Sequence, residues 1–221
     1  MLLRAFPAIL LVLCLFLPQV AFASGEKKQG GALICSFPGE AGSLDPADAS
    51  DPASVNMESA IFEGLVALSD DGSRIMPSLA KRWYTKDFKV WTFELKKNVK
   101  FHDGTDLTSS AVKFSIERLL HASDFASGHE AAEYFREIAA GKGSRIARIE
   151  TPEINKVRIS LSEPDIGFLR KLAVPAASIV SPYSAKKLGA GFGLSPAGTG
   201  PYRFSDMRRQ GRIVLARNIA Y

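Results

Sequence analysis

Three sets of residues in this chain have the types and spacing to do chemistry. His102 and Asp103 stand side by side before Gly104 in "VKFHDGTDLTSSAVKFSIERLL", a base next to an acid. Ser109 and Ser110 follow as possible nucleophiles, and Gly198-Thr199-Gly200 in "SPAGTGPYRF" invites comparison with a phosphate cradle. A catalytic His–Asp pair needs a nucleophile or a metal to act on. The other histidines, His121 and His129, form no H-x-x-x-H spacing on a helix, and nothing like G-x-S-x-G surrounds the serines. The glycine pair lacks the lysine and downstream hydroxyl of a P-loop and runs into a strand instead of opening a helix. Each set has a plainer role. Asp103-Gly104 is turn chemistry, because aspartate bonds its own backbone and glycine supplies positive φ. The serines fit a helix start, and the glycines a tight turn. The balance favours binding over catalysis, with an extracytoplasmic hydrolase built on His102-Asp103 as the alternative of another class.

The elements that must position these residues follow from periodicity. Residues 32–37, "ALICSF", read as a buried strand, with Cys35 a core thiol. "PGEAGSLDPADASDPA" is an irregular loop by its turn residues. Asp51-Pro52 starts a helix over about 52–66, with Met57, Ala60, Ile61, Gly64 and Leu65 on one side. "VWTFELKK" alternates, Trp91, Phe93 and Leu95 facing one way and Thr92, Glu94 and Lys96 the other. Thr108 caps a helix with a Val112, Ile116, Leu119, Leu120 stripe. "AAEYFREIAAG" and "DIGFLRKLA" read as short helices, and "NKVRISLSEP" as a strand with Val157, Ile159 and Leu161 inward. "AASIVSP" is an apolar strand or buried loop; strands follow through Tyr202 and Phe204 and through "GRIVLARN", with a solvated turn at 208–212 between them. Mixed helices and alternating strands imply α/β or α+β layers.

The opening "MLLRAFPAILLVLCLFLPQVAFASGEKKQGG" carries one arginine before an apolar run that ends in Ala21-Phe22-Ala23. That is the pattern of a secretory signal cut after Ala23; Pro18 and Gln19 interrupt the run, leaving it short for a membrane span. Leu13 stands before Cys14 where a lipidation site needs a small residue. An untethered secreted protein is retained only by a second membrane, so the expected address is the periplasm. Cys35 alone would remain, and it can form no intrachain disulfide. The net charge of +5 is spread along the chain, which gives no footprint for nucleic acid or a membrane surface. No cofactor and no metal ligand set is read from the residues.

Taken in order, "SLDP", "IFEGLV", "MPSLAKRW", "VWTFELKKNVKFHDGTDLTSSAVKFSIER", "VRISLSEPDIGFLRKLA", "GTGPYRF" and "IVLARN" resemble the family 5 extracytoplasmic solute-binding proteins of ABC importers, the dipeptide and oligopeptide class. The similarity runs from about Ala32 to Tyr221. It implies a periplasmic binding protein-like α/β fold (type II, cluster C), present only in part: a portion of the first lobe and the extra small domain, the second lobe absent. The implied division is 1–23 signal peptide, 24–64 first segment of the first lobe, 65–180 extra α+β domain, and 181–221 return segment, with 32–64 and 181–221 sharing a sheet. The family has an acidic residue at the third position of the helix capped by Thr108, where Ala111 stands here.

By the same resemblance, Asp48, Ala49, Ser50 and Asp51 would lie along a ligand, with Val174, Pro175, Ala176 and Phe125 approaching from the extra domain. Asp51 can be a helix cap, a ligand neighbour, or both. The implied role is capture of di- or oligopeptides, or of a nickel chelate, haem, opine or sugar. The ligand would pass to inner-membrane permease subunits, by a monomer that binds no nucleic acid. A truncated, non-binding remnant is the remaining alternative, and a single jaw is expected to hold peptide poorly.

Overall fold

The computed structural model describes residues 30–121, 130–140, 145–208 and 212–221. The chain divides into two units, 1–36 and 37–221. In the first, residues 30–36 form no strand, Leu33 and Ile34 are 88% and 81% exposed, and Cys35 is exposed. The expected buried strand over 32–37 and the core thiol are therefore corrected. An apolar run becomes a strand only as a member of a ladder, and none of the three sheets includes it. The signal-peptide residues 1–23 lie outside the described residues.

In the second unit, α1 (Pro52–Ile61) leads to a small hairpin of β1 (Val66–Leu68) and β2 (Ile75–Pro77). An antiparallel four-stranded sheet follows from β3 (Ala80–Thr85), β4 (Val90–Leu95), β5 (Ile146–Glu153) and β6 (Lys156–Leu161), in the order β3-β4-β6-β5. Between β4 and β5 the chain forms α2 (Ser109–Leu120) and α3 (Glu130–Ala140). After β6 come α4 (Phe168–Lys171), a 3-10 turn at Pro175–Ala177, and α5 (Pro182–Leu188). A ribbon of β7 (Tyr202–Arg208) and β8 (Arg212–Arg217) ends the chain.

Alternation decides the sheet. Trp91, Phe93 and Leu95 are buried as expected, and the register sets Phe93 between Trp83 and Val157, and Trp91 beside Ile159. Val112, Ile116 and Leu119 of α2 and Phe135 of α3 close over that face, and Phe168 packs against Trp91 at a ring separation of 6.0 Å. Full burial of a side chain such as Phe93 contributes ~1.5–3 kcal/mol. Thr92, expected to face outward, is also buried, in a cross-strand row between Tyr84 and Arg158. "AASIVSP" takes the buried-loop form: Ile179 and Val180 are buried outside any strand, and the Ile179 amide donates to the Glu63 carbonyl at 2.9 Å.

Residues 37–64 contain no strand, so they share no sheet with 181–221, contrary to expectation. A second core joins them instead. Leu44, Ile61 and Phe62 pack with Val180, Ala185 and Phe192, and Phe204 and Leu215 of the ribbon lean against the cluster. The expected helix to residue 66 stops at Ile61 for a tertiary reason. The Ile61 carbonyl receives the Gly200 amide at 2.9 Å in place of a helical partner, and the Gly64 and Leu65 carbonyls accept the Leu79 and Ala80 amides. This contact explains the glycines of the 198–200 turn. A Cβ on Gly198 would lie 2.2 Å from the Ile61 carbonyl oxygen, and one on Gly200 would lie 2.6 Å from that of Ala60. Gly198→Ala is therefore expected to cost at least ~1–3 kcal/mol, read as a lowered urea midpoint at unchanged slope; Gly191→Ala, where a Cβ meets nothing within 4 Å, is the control.

Candidate functional site

The turn holding His102 and Asp103 follows Phe101, whose carbonyl accepts the Gly104 amide at 2.9 Å, and Gly104 takes a φ of 87°. Its side chains face other segments, not each other. Asp103 Oδ1 accepts the Thr105 hydroxyl at 2.6 Å and the Thr105 amide at 3.0 Å; Oδ2 accepts the hydroxyls of Ser184, at 2.7 Å, and Ser181. Burial works to raise this carboxyl, but the Ser181, Thr105 and Ser184 hydroxyls outweigh it and hold it below the ordinary range. Ser181 in turn caps α5, accepting the Ser184 amide at 3.2 Å.

His102 Nδ1 accepts the Gly198 amide at 3.3 Å, and its Nε2 lies 3.0 Å from the Gly200 carbonyl, an acceptor, so Nε2 carries the hydrogen. Both ring nitrogens are engaged by backbone. A general base needs a free lone pair directed at a nucleophile, and this ring has none to offer Ser181 or Ser184. The arrangement is a structural tie between the 101–104 and 198–200 turns. Ser109, at the start of α2, donates to the Glu153 carbonyl at the end of β5 at 2.7 Å, and Thr108 caps α2 as expected.

The loop expected along a ligand is held from beneath by a pair the sequence reading missed. Asp45 and Arg118 are 2% and 4% exposed, joined by a two-pronged ion pair with Nη1 to Oδ1 at 2.8 Å and Nη2 on Oδ2. Asp45 also accepts the Ala47 amide on Oδ1 at 3.0 Å, and its carbonyl takes the Asp48 and Ala49 amides at 2.8 and 3.0 Å. The guanidinium lies over the Phe192 ring, 5.5 Å from its centroid. The loop's shape is therefore set by α2.

Asp51 caps α1 as expected, Oδ1 accepting the Ser54 amide at 2.8 Å and Oδ2 the Gly42 amide at 3.1 Å. Burial pushes the Asp51 carboxyl up, yet the Ser54 hydroxyl and the Ser54, Gly42 and Ala53 amides together hold it low. Asp48 is half-buried, Ala49 buried and Ser50 exposed.

Val174 is half-buried, Pro175 exposed and Ala176 buried. The Pro175–Ala177 turn packs on α1, α2 and α3, and Ala176 shares a core with Ala47. Both expected segments thus adjoin α1. Phe125 lies outside the described residues, as do His129 and residues 209–211 of the expected turn at 208–212.

Beneath the loop sits Glu58, also missed. It is 1% exposed, and neither carboxyl oxygen has a hydrogen-bond partner. Burial first, then the charges of Asp45, Asp51 and Asp48, push it up to about 9, so at neutral pH it is a carboxylic acid. The only available signal was its place on the buried stripe of α1 with Ser54 and Ile61.

Two shallow depressions, one beside His102, Tyr183 and Lys187 and one beside Leu68 and Arg74, include none of the expected ligand residues. Among the described residues, no group of three His, Cys, Asp or Glu side chains is arranged to hold a metal, and no helix is long and apolar enough to cross a membrane.

With this geometry in place, similarity to known proteins is informative. Residues 74–221 match the family described as "Bacterial extracellular solute-binding proteins, family 5 Middle". The glutathione-binding protein GsiB of Escherichia coli O6:K15:H31 is 30% identical over 179 residues, which is 80% of this chain and 33% of GsiB. The binding protein AgaA of A. tumefaciens R10, solved with agropinic acid, is 33% identical with a TM-score of 0.71, over 81% of this chain and 34% of that one. The ABC transporter-associated periplasmic binding protein DppA of Helicobacter pylori, solved with the peptide STSA, is 28% identical with a TM-score of 0.74, over 82% of this chain and 38% of that one. The chain spans about a third of the length of these relatives. All three are binding proteins, and the fold they share with this chain is the α/β fold of type II periplasmic binding proteins, here in part. The chain belongs to family 5 of the bacterial extracellular solute-binding proteins.

Proposed function

We propose that this chain is part of the substrate-binding component of an ABC importer, one that captures di- or oligopeptides in the periplasm and delivers them to inner-membrane permease subunits. In this reading, 1–23 is a signal peptide cut after Ala23. Residues 24–64 and 181–221 belong to the first lobe, and 65–180 form the extra domain. Asp48–Asp51 and Val174–Ala176 would line the ligand, with Phe125 as a further neighbour.

The observation that carries the site is the pre-shaped loop at the start of α1. Asp45 and Arg118 fix it, Asp51 caps the helix, and the Pro175–Ala177 turn packs on that same helix. Peptides of different sequence share a backbone, so a broad receptor pairs main chain with main chain and leaves wet pockets for side chains. Small residues such as Ala49, Ser50 and Ala176 allow such an approach. Closure on the ligand then selects the form the permease recognises.

A second reading follows from AgaA, whose ligand is agropinic acid: the cargo is an opine. Amide shift mapping of the chain with added dipeptide, tetrapeptide or agropinic acid separates the two. The peptide reading expects shifts confined to the amides of residues 48–51, 125, 174 and 176. Response to agropinic acid alone moves the assignment to opines; shifts elsewhere, or from neither ligand, remove the site.

A further inference from the structure

Four segments meet at the joint between the end of α1 and the ribbon. The Gly200 amide donates to Ile61, Asn218 Nδ2 donates to the Gly200 carbonyl at 3.0 Å, and the Thr199 hydroxyl donates to Glu63 Oε2 at 2.8 Å. The fourth segment is the turn at 101–104, which reaches the joint through His102: its amide donates to the Gly198 carbonyl at 2.8 Å, and its ring spans from the Gly198 amide to the Gly200 carbonyl. One imidazole therefore grips both ends of a glycine turn 96 residues away.

We propose that His102 is a proton-gated clasp: the neutral ring, with its hydrogen on Nε2, locks the Gly198–Gly200 turn to the 101–104 turn, and protonation of Nδ1 releases the Gly198 end. The chemistry is specific to the tautomer. Nδ1 can accept the Gly198 N–H only while it keeps its lone pair; once protonated, it presents a hydrogen to a hydrogen. The Nε2 bond to Gly200 survives, so the turn loosens at one end.

The surroundings favour the locked state at neutral pH. Burial pushes the ring below the ordinary histidine range; the Gly200 carbonyl pulls it up, Arg203 pushes it down and Asp103 pulls it up. Lys187 lines the same depression, and Glu63 reaches the turn through Thr199. A base held below its unfolded value contributes stability that is complete above the ordinary histidine pKa and is lost as pH falls toward the folded one. If the division at residues 65–180 holds, the clasp is one tie between the extra domain and the return segment, so acid would loosen that joint.

Nitrogen-15 NMR of the whole chain tests this without any ligand, independently of cargo. Long-range proton–nitrogen correlation is expected to show the Nε2–H tautomer of His102 at pH 8. Protection of the Gly198 amide, corrected for intrinsic exchange, is expected to fall roughly five- to tenfold as His102 titrates, the loss of one hydrogen bond. His102→Asn, whose Oδ1 can accept where Nδ1 did and does not titrate, should make that protection flat with pH. An Nδ1–H tautomer, or constant Gly198 protection while the wild-type ring titrates, overturns the clasp, and both are read on the wild type if the variant fails to fold.

Discussion

Replacing Arg118 with alanine is expected to lower the stability of the chain by ~3–5 kcal/mol, since removing one partner leaves a buried charge uncompensated. Asp45 is 2% exposed, and Arg118 occupies both of its oxygens. Among the described residues no other ion pair reaches Asp45, whereas Glu58 feels its negative charge directly. The effect should be partly local, because Asp45 sets the loop: hydrogen exchange at the Asp48 and Ala49 amides should accelerate beyond the global change. The double variant Asp45→Asn/Arg118→Met separates charge from shape. The asparagine oxygen can still accept the Ala47 amide, and methionine fills the space over Phe192, so much of the loss should return. A single-variant loss below ~1 kcal/mol in urea unfolding would mean that water reaches the pair and that it behaves like a surface bridge.

That pair also shows where sequence legibility ends. Asp45 reads locally as a turn residue and Arg118 as the polar side of a helix, and 73 residues separate them; only the fold makes them one buried unit. Features set by neighbours in sequence were legible: Asp51 and Thr108 as caps, the alternation of Trp91, Phe93 and Leu95, and the turn at Gly104. β5 was not, because register irregularities between Ile146 and Arg148 and between Glu150 and Glu153 break the period of two that marks a strand. The end of α1 was misjudged for the opposite reason. Its sequence remains helix-compatible past Ile61, and a hydrogen bond from Gly200 stops it. The apolar run at 32–37 has the composition of a strand but no ladder to join. For the site, the helix cap was readable, while the ion pair and buried acid beneath the loop were not. The turn at His102-Asp103 was readable, while the tie from its ring to a turn 96 residues away is a tertiary fact.

Glu58 should give the chain an unusual pH dependence, and Glu58→Gln should remove it. In the folded state the carboxyl is pushed up from 4.5 to about 9, so it holds a proton that the unfolded chain releases above 4.5. Unfolding thus releases a proton throughout that window, and stability must fall as pH rises. The slope approaches ~1.4 kcal/mol per pH unit and flattens outside the two values. By neutral pH the accumulated loss is roughly 3 kcal/mol relative to a side chain that stays neutral. Glutamine has nearly the same shape and never ionises, so the variant should be the more stable protein at pH 8 and lose its advantage near pH 5. There its second amide hydrogen, unpartnered in a buried site, can make it slightly the weaker. His102 tilts the other way, but only below the ordinary histidine range, so it does not mask the Glu58 slope between pH 7 and 9. Urea titrations of both proteins at pH 5, 7 and 8 decide the matter. Parallel curves would show that Glu58 is solvated or paired, and the acid beneath the loop would then have no special standing.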